Sequence, residues 1–245
     1  MSKNTMSPHA RAPRPSSQRG IALFVVIIFV MLSMLLALWA ARTSLFNELV
    51  VGNDADYQRA FEAAQALLQD AELDIRGENA DGSACTGSND ICRTTTPDKI
   101  PLEAQEVTQL LATLTTQPTL CRYGLCAKRN GKQDVWNDDT TLADMTAVGA
   151  RYGQYTGAGK GAHSNPILAE ASSNAGGWYW IEVLPYYDSQ GAGLVVGGPN
   201  NLLPLTPTPN VVYRITALAH GRKPNTMVLL QQTYARNKSK LDLIH

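Results

Sequence analysis

Residues 21–41 read IALFVVIIFVMLSMLLALWAA, and this apolar stretch decides the fold. It contains 21 residues without a charge, and Ser33 is its one clearly polar side chain. As an α-helix it would be about 32 Å long, close to the roughly 30 Å thickness of the hydrocarbon core of a bilayer. Its thirteen Ile, Leu, Phe and Val residues would favour insertion by roughly 4–8 kcal/mol. We therefore expect residues 21–41 to span a membrane.

The charged residues are unevenly distributed, although 21 Lys and Arg balance 21 Asp and Glu. Residues 1–20 carry four basic side chains and no acidic one, which leaves 17 basic against 21 acidic residues in the remainder. Basic residues before a span stay in the cytoplasm, so residues 1–20 are predicted to be a cytoplasmic leader and the rest to lie outside. A mildly acidic outer part argues against nucleic acid as a partner, because binding phosphates requires a basic surface.

Two other interpretations compete for residues 21–41. A cleaved secretory signal usually has a shorter apolar stretch of about 7–15 residues and a small-x-small exit. The exit here reads Leu38-Trp39-Ala40-Ala41-Arg42 and fits that pattern poorly. A plain single-pass anchor would have the same topology without processing. Only the residues on either side of the span can distinguish a processed membrane helix from such an anchor.

Residues 42–76 continue the apolar segment as an amphipathic helix. Apolar residues recur there at steps of three and four: Phe46, Leu49, Val50, Tyr57, Ala60, Phe61, Ala64, Leu67, Leu68, Ala71 and Ile75. Polar residues between them, including Glu48, Asp56, Glu62 and Asp70, are assigned to the solvent-exposed (wet) face of the helix. No proline occurs between residues 16 and 96. One helix of about 55 residues, roughly 80 Å long, is therefore predicted from Ile21 to near Arg76. The outer domain is predicted to pack against the stripe of apolar residues on its second half.

The rest of the chain divides into two regions. Residues 77–177 are rich in Gly, Ser, Asn, Asp and Thr and predict irregular loops, with one short helix over 102–117. Residues 178–245 predict an antiparallel sheet with strands over 178–187, 211–218 and 227–234. The striped half of the long helix is the available cover for the sheet, so the fold class is α+β.

Several segments resemble one protein family. The GIALF junction at 20–24, followed by an uncharged span, is similar to the signal of type IV pilins and pseudopilins. Five further segments resemble the PilX-type minor pilins: the helix over 42–72 with AFEAAQ at 60–65, CRYGLC at 121–126, YGQYTG at 152–157, VYRITA at 212–217 and VLLQQTY at 228–234. The resemblance implies a pilin-like fold and a non-enzymatic role as a minor pilin in pilus assembly.

The resemblance also implies how the N-terminus is processed. A prepilin peptidase would cut between Gly20 and Ile21 and methylate the new amine of Ile21. Most pilins carry a glutamate five residues after the cut, whereas this chain has Val25 there. Because a buried carboxylate is costly unless it is paired, its absence suits a subunit that does not make that contact. We expect such a subunit to work in a priming complex at the pilus tip.

The same resemblance names the partners and the location. They are other minor pilins and the major pilin, the prepilin peptidase, an inner-membrane assembly platform and a tip adhesin. The chain would lie in the inner membrane with its outer domain in the periplasm, and later in the pilus. A type II secretion pseudopilin fits the same physical description. A membrane-tethered periplasmic sensor or binding protein is the alternative from another class.

The four cysteines all follow the span, in a compartment where disulfides persist. Three pairings are possible, and the short spacings favour Cys85–Cys92 with Cys121–Cys126. Those spacings are not typical of a zinc site, and no other metal or cofactor is predicted. Gly157-Ala158-Gly159-Lys160-Gly161 lacks the spacing of a phosphate loop. Asn137-Asp138-Asp139 predicts a solvated turn rather than a calcium ligand set, and no catalytic motif is present.

Overall fold

The computed structural model describes residues 19–85, 91–93, 99–101, 103–131, 134–159, 165–172, 174–189, 192–195 and 210–236. Residues 1–18 of the predicted leader lie outside these ranges. The chain divides into two compact units, of which the first ends at Gly52 and the second begins at Asn53.

A single helix, α1 (Arg19–Arg76), contains 58 residues and confirms the long N-terminal helix. It runs without interruption because no proline removes a backbone hydrogen bond within it, and Gly52 alone does not end it. In the first unit, every residue from Ile21 to Val51 is exposed on this helix.

Among the residues that the structure describes, the second unit is built on a sheet of seven strands. They are β1 (Cys121–Arg122), β2 (Leu125–Ala127), β3 (Ala150–Arg151), β4 (Gly177–Ser189), β5 (Ala192–Val195), β6 (Val211–His220) and β7 (Met227–Tyr234). The order is β1-β2-β4-β6-β7, with β3 and β5 also paired to β4. The predicted hairpin is β6–β7, in register from Tyr213 opposite Tyr234 to His220 opposite Met227.

The sheet is mixed, whereas the sequence predicted antiparallel pairing alone. β2 runs parallel to β4, with Leu125 opposite Ile181. A parallel pair needs a long crossover, and some fifty residues, including a helix, separate β2 from β4. The α+β class itself is confirmed.

Two helices cover one face of the sheet. Residues 60–75 of α1 and the helix α2 (Ala104–Thr115) bury their apolar side chains against alternate residues of β4 and β6. The absence of a side chain at Gly177 lets α1 lie close to β4. A Cβ atom at this position would lie only 2.5 Å from Cδ1 of Leu67. The helix predicted over 102–117 corresponds to α2, which is two residues shorter at each end.

The opposite face is covered by elements that the sequence did not predict. The helix α3 (Asp139–Val148) and a 3₁₀ helix (Val135–Asn137) contribute Met145 and Val135 to a second core with Trp178 and Trp180. Asp138 caps α3, because its carboxylate accepts the N–H of Thr141 at 2.7 Å. The Asn137-Asp138-Asp139 segment is therefore the start of a helix.

Candidate assembly surface

The first unit presents a helix, residues 21–51 of α1, which we call the assembly helix. It is apolar except for six residues: Ser33, Arg42, Thr43, Ser44, Asn47 and Glu48. Its large apolar side chains are exposed on all sides; the exposed fraction is 70% for Ile21 and for Trp39. By length and composition it can cross a membrane. Soluble monomers rarely expose such a surface, so the assembly helix requires lipid or other apolar helices around it.

Two hydroxyl groups within this surface are bonded to backbone carbonyls of the helix itself. Ser33 Oγ donates to the carbonyl of Val30 at 2.9 Å. Thr43 Oγ1 donates to the carbonyl of Trp39, also at 2.9 Å. Because these hydroxyls already have acceptors, they do not need water, and the helix can enter a dry environment.

The predicted processing site lies at the start of α1. The structure describes α1 from Arg19 onward, and the Gly20–Ile21 peptide lies within this helix. Val25 is 42% exposed, one turn further on. Cleavage after Gly20, methylation of Ile21 and the role of Val25 stay predictions.

The predicted stripe carries the outer domain over only part of its length. Ala60, Ala64, Leu67, Ala71 and Ile75 are buried as expected. Phe46, Leu49, Val50 and Tyr57 are exposed, so the prediction was wrong for these four. The first three of them belong to the assembly helix, whose apolar surface continues about three turns past Arg42.

Asp56 holds the β6–β7 turn against α1. It was assigned to the wet face, but it is only 1% exposed. Its carboxylate accepts the backbone N–H groups of Arg222 and Lys223, each at 2.9 Å. Burial alone would raise the pKa of Asp56, but these two N–H donors, together with the Thr226 hydroxyl and the charge of Arg59, hold the pKa below its ordinary value. The hairpin is thereby fixed near the first turn of the second unit.

Asp74 and Arg93 form a buried ion pair at the other end of α1. Arg93 Nε donates to the two carboxylate oxygens of Asp74 at 2.8 and 2.7 Å. The hydroxyl of Tyr179 donates to the same carboxylate at 2.9 Å. The guanidinium carbon of Arg93 lies 3.5 Å from the centroid of the Tyr155 ring. The pair connects α1, the loop after it and β4.

Asp70 lies one turn earlier and is also buried, although the sequence placed it on the wet face. It accepts the backbone N–H of Gly153 at 2.7 Å and the hydroxyl of Thr156. Burial raises the pKa of Asp70 to about 6, against the opposing effect of these donors. The YGQYTG segment at 152–157 is thus a turn bound to α1.

Two disulfides fix the loops around this cluster. Cys85 is joined to Cys92 and Cys121 to Cys126. The first holds the residue next to Arg93, and the second closes the β1–β2 hairpin across a turn at Tyr123-Gly124, where both φ angles are positive. A Cβ atom at Gly124 would lie 2.6 Å from that of Ala150, so only glycine fits.

The described residues contain no group of three or more Cys, His, Asp or Glu that could hold a metal ion. Gly157 and Gly159 of the glycine-rich segment lie in the turn after Thr156, whereas Lys160 and Gly161 lie outside the described residues.

Comparison with known families gives two matches. Residues 19–69 match the PilX N-terminal family, and residues 122–236 match the C-terminal family of the type IV pilus assembly protein PilX. The two matches cover 51 and 115 residues, or 166 of the 245. Searches of curated proteins and of solved structures found no significant match. With the assembly helix and the mixed sheet of the second unit, these matches show that the chain belongs to the PilX family of minor pilins in type IV pilus assembly.

Proposed function

We propose that a prepilin peptidase removes residues 1–20 and methylates Ile21, and that the mature chain then moves from the inner membrane into a priming complex at the pilus tip. The observation that carries this proposal is the composition of the assembly helix. No acidic side chain occurs between residues 21 and 47. Arg42 is the one basic residue in that range.

The movement out of the membrane is feasible only toward another apolar environment. Leaving lipid for water would cost several kcal/mol for the 21 uncharged residues of the span. A bundle of similar helices from other pilins removes this cost, because it covers the same side chains. The same apolar helix therefore serves first as a membrane anchor and then as part of a filament core.

Val25 supports a place at the tip rather than along the shaft. A carboxylate at this position would neutralise the N-terminal amine of a neighbouring subunit, and valine cannot do so. A subunit without the carboxylate is tolerated where no such amine has to be neutralised. The partners would be the major pilin, other minor pilins and the inner-membrane assembly platform, with a tip adhesin beyond them.

Gold labelling of this chain on intact pili tests the position. We expect label at one end of each pilus for the wild type and for Val25→Leu, which keeps an apolar side chain of similar size. Val25→Glu restores the carboxylate and should spread label along the shaft. Label along the shaft in the wild type would contradict the tip assignment. A Val25→Glu distribution identical to that of Val25→Leu would show that Val25 does not determine the position.

A further inference from the structure

A cavity of about 270 Å³ lies beside the Asp74–Arg93 ion pair in the second unit, and we call it the Arg93 pocket. Four of the described residues that line it are basic: Arg76, Arg93, Lys99 and Arg236. Asp74 is the one acidic residue in this described lining. The volume is near the lower end of the range for sites that hold small molecules. The lining favours a negatively charged ligand over a neutral one.

Two of the basic residues already have acidic partners outside the lining. Arg76 contacts Glu78 at 2.7 Å and Glu72 at 3.5 Å. Lys99 contacts Glu106 at 2.7 Å. Between 28% and 34% of each of these side chains is exposed, so water and salt weaken the pairs. These residues therefore contribute little net charge to the pocket.

Arg236 is the basic residue of the pocket that lacks a counter-charge. It is half-buried, and no ion pair joins it to another residue within the described ranges. Asp70 also interacts electrostatically with Arg93, but its carboxylate is occupied by the N–H of Gly153 and the hydroxyl of Thr156. Because opposite charges attract strongly where water is partly excluded, Arg236 can balance one negative charge in the pocket.

Arg93 carries two buried donor groups that lack acceptors. Its side chain is only 2% exposed, and its Nε donates to both carboxylate oxygens of Asp74. Neither Nη1 nor Nη2 has a hydrogen-bond partner among the residues that the structure describes. Buried polar groups in native proteins are nearly always bonded, and a buried charged donor without an acceptor is destabilising. A ligand that supplies the acceptor would remove this cost.

The free end of Arg93 has the geometry that a carboxylate requires. A guanidinium presents Nη1 and Nη2 as a planar fork, which matches the two oxygens of a carboxylate. Asp74 occupies Nε alone, so the internal ion pair leaves this end open to a second acceptor. The Tyr155 ring lies 3.5 Å from the guanidinium carbon, and the Cys85–Cys92 disulfide fixes the preceding residue. The orientation of the fork is thus set by the fold.

The balance of charge favours a carboxylate over a phosphate group. A phosphate group carries about 1.5 to 2 negative charges at pH 7, whereas a carboxylate carries one. The Arg93 pocket has one basic residue without a counter-charge, Arg236, so the second charge of a phosphate would have no partner. A single planar carboxylate fits both the fork of Arg93 and the charge of the pocket.

We propose that the Arg93 pocket binds a carboxylate group of another molecule. The two oxygens accept N–H groups from Nη1 and Nη2 of Arg93, and Arg236 balances the charge. Both amino groups are covered in this structure, so a shift in the wall of the pocket accompanies binding. The carboxylate belongs either to a small free acid or to an acidic side chain of a protein, since the recognition chemistry is the same. This site is separate from the assembly helix and goes beyond the proposed role in pilus assembly.

Binding of ¹³C-labelled acetate to the full-length chain in a neutral detergent tests the proposal. Acetate replaces chloride at constant ionic strength, and its NMR signal gives the dissociation constant. We expect saturable binding of one acetate per chain. Arg93→Lys keeps a positive charge beside Asp74 but loses the fork, so it should weaken binding by about tenfold or more. Arg214→Lys is the matched control, because Arg214 pairs with the buried Glu182 outside the described lining, and it should leave binding unchanged.

A second variant covers the case in which Arg93→Lys fails to fold, as judged by limited proteolysis. Arg236 is only half-buried, so Arg236→Gln should preserve the fold while removing the balancing charge. We expect acetate binding to weaken by about threefold or more, because a charge–charge attraction is lost. Arg222→Gln removes an exposed arginine from the β6–β7 turn and is the control without an effect.

A tripeptide with blocked ends and a central glutamate distinguishes the two sources of the carboxylate. If it binds at least as tightly as acetate, the pocket accepts an acidic side chain of a protein; if acetate alone binds, the ligand is a small free acid. The proposal is overturned if neither probe binds the wild type saturably. Equal affinities in the wild type, Arg93→Lys and Arg236→Gln would also overturn it, as would tighter binding of inorganic phosphate than of acetate. Processing and pilus assembly are measured separately, so this failure would leave the proposed function intact.

Discussion

At the scale of single residues, the clearest consequence concerns Asp70. Burial raises its pKa to about 6, above the ordinary 3.8 of an aspartate. The folded protein therefore holds this proton more tightly than the unfolded chain. The stabilisation is complete below about pH 4 and is lost as the pH rises through about 6. A difference of two pH units corresponds to about 3 kcal/mol.

We expect the free energy of unfolding to fall between pH 4.5 and 7.5, and Asp70→Asn to reduce that fall. The asparagine keeps an oxygen that can accept the N–H of Gly153 and does not titrate. Urea unfolding in detergent, followed by the fluorescence of the buried Trp178 and Trp180, measures the effect. An identical pH dependence in the two proteins would refute the assignment to Asp70.

The buried acids also explain why residue-level prediction failed there. Asp56, Asp70 and Asp74 follow the same three- and four-residue steps as Ala60, Ala63 and Leu67. Their positions thus placed them on the buried face, but their charge argued for the wet one. The partners that make burial tolerable, such as Arg93 and the N–H groups of Arg222 and Lys223, are distant in sequence, so no local pattern could reveal them.

At the scale of elements, α1 divides into a part that carries the sheet and a part that does not. Leu67 is fully buried, whereas Leu49 is 61% exposed on the same helix. Leu67→Ala should lower the free energy of unfolding by about 2–5 kcal/mol, because it leaves a cavity. Leu49→Ala should change it by no more than about 0.5 kcal/mol.

The same urea titration measures both leucine variants, and each serves as the control for the other. A large loss of stability in Leu49→Ala would mean that Leu49 is buried in the folded protein, contrary to its exposure. A small effect of Leu67→Ala would mean that the stripe does not anchor the sheet.

The elements were predictable to different degrees. The span, α1 and the β6–β7 hairpin follow from long apolar or alternating patterns. α3 was missed because DTTLADMTAV is rich in poor helix formers and buries only Met145. The parallel contact of β2 with β4 was also missed, since three-residue strands carry no periodicity and their partners are set by tertiary packing.

At the scale of the whole molecule, the central claim is that one apolar helix serves in two environments. The PilX family matches assign the chain to pilus assembly, and the exposed assembly helix requires a dry surrounding at every stage. The sequence alone supported this role because the uncharged span and its junction are local features. The identity of neighbouring subunits depends on surfaces of the folded domain, which only the three-dimensional arrangement defines.

The most direct test is the mass of the chain recovered from sheared pili of cells that contain a prepilin peptidase. The account predicts a protein that begins at Ile21, carries one methyl group on its N-terminal amine and has lost residues 1–20. Cells without the peptidase should retain those residues and keep the chain in the membrane fraction. An uncut chain that never leaves the inner membrane of a piliated cell would contradict the account.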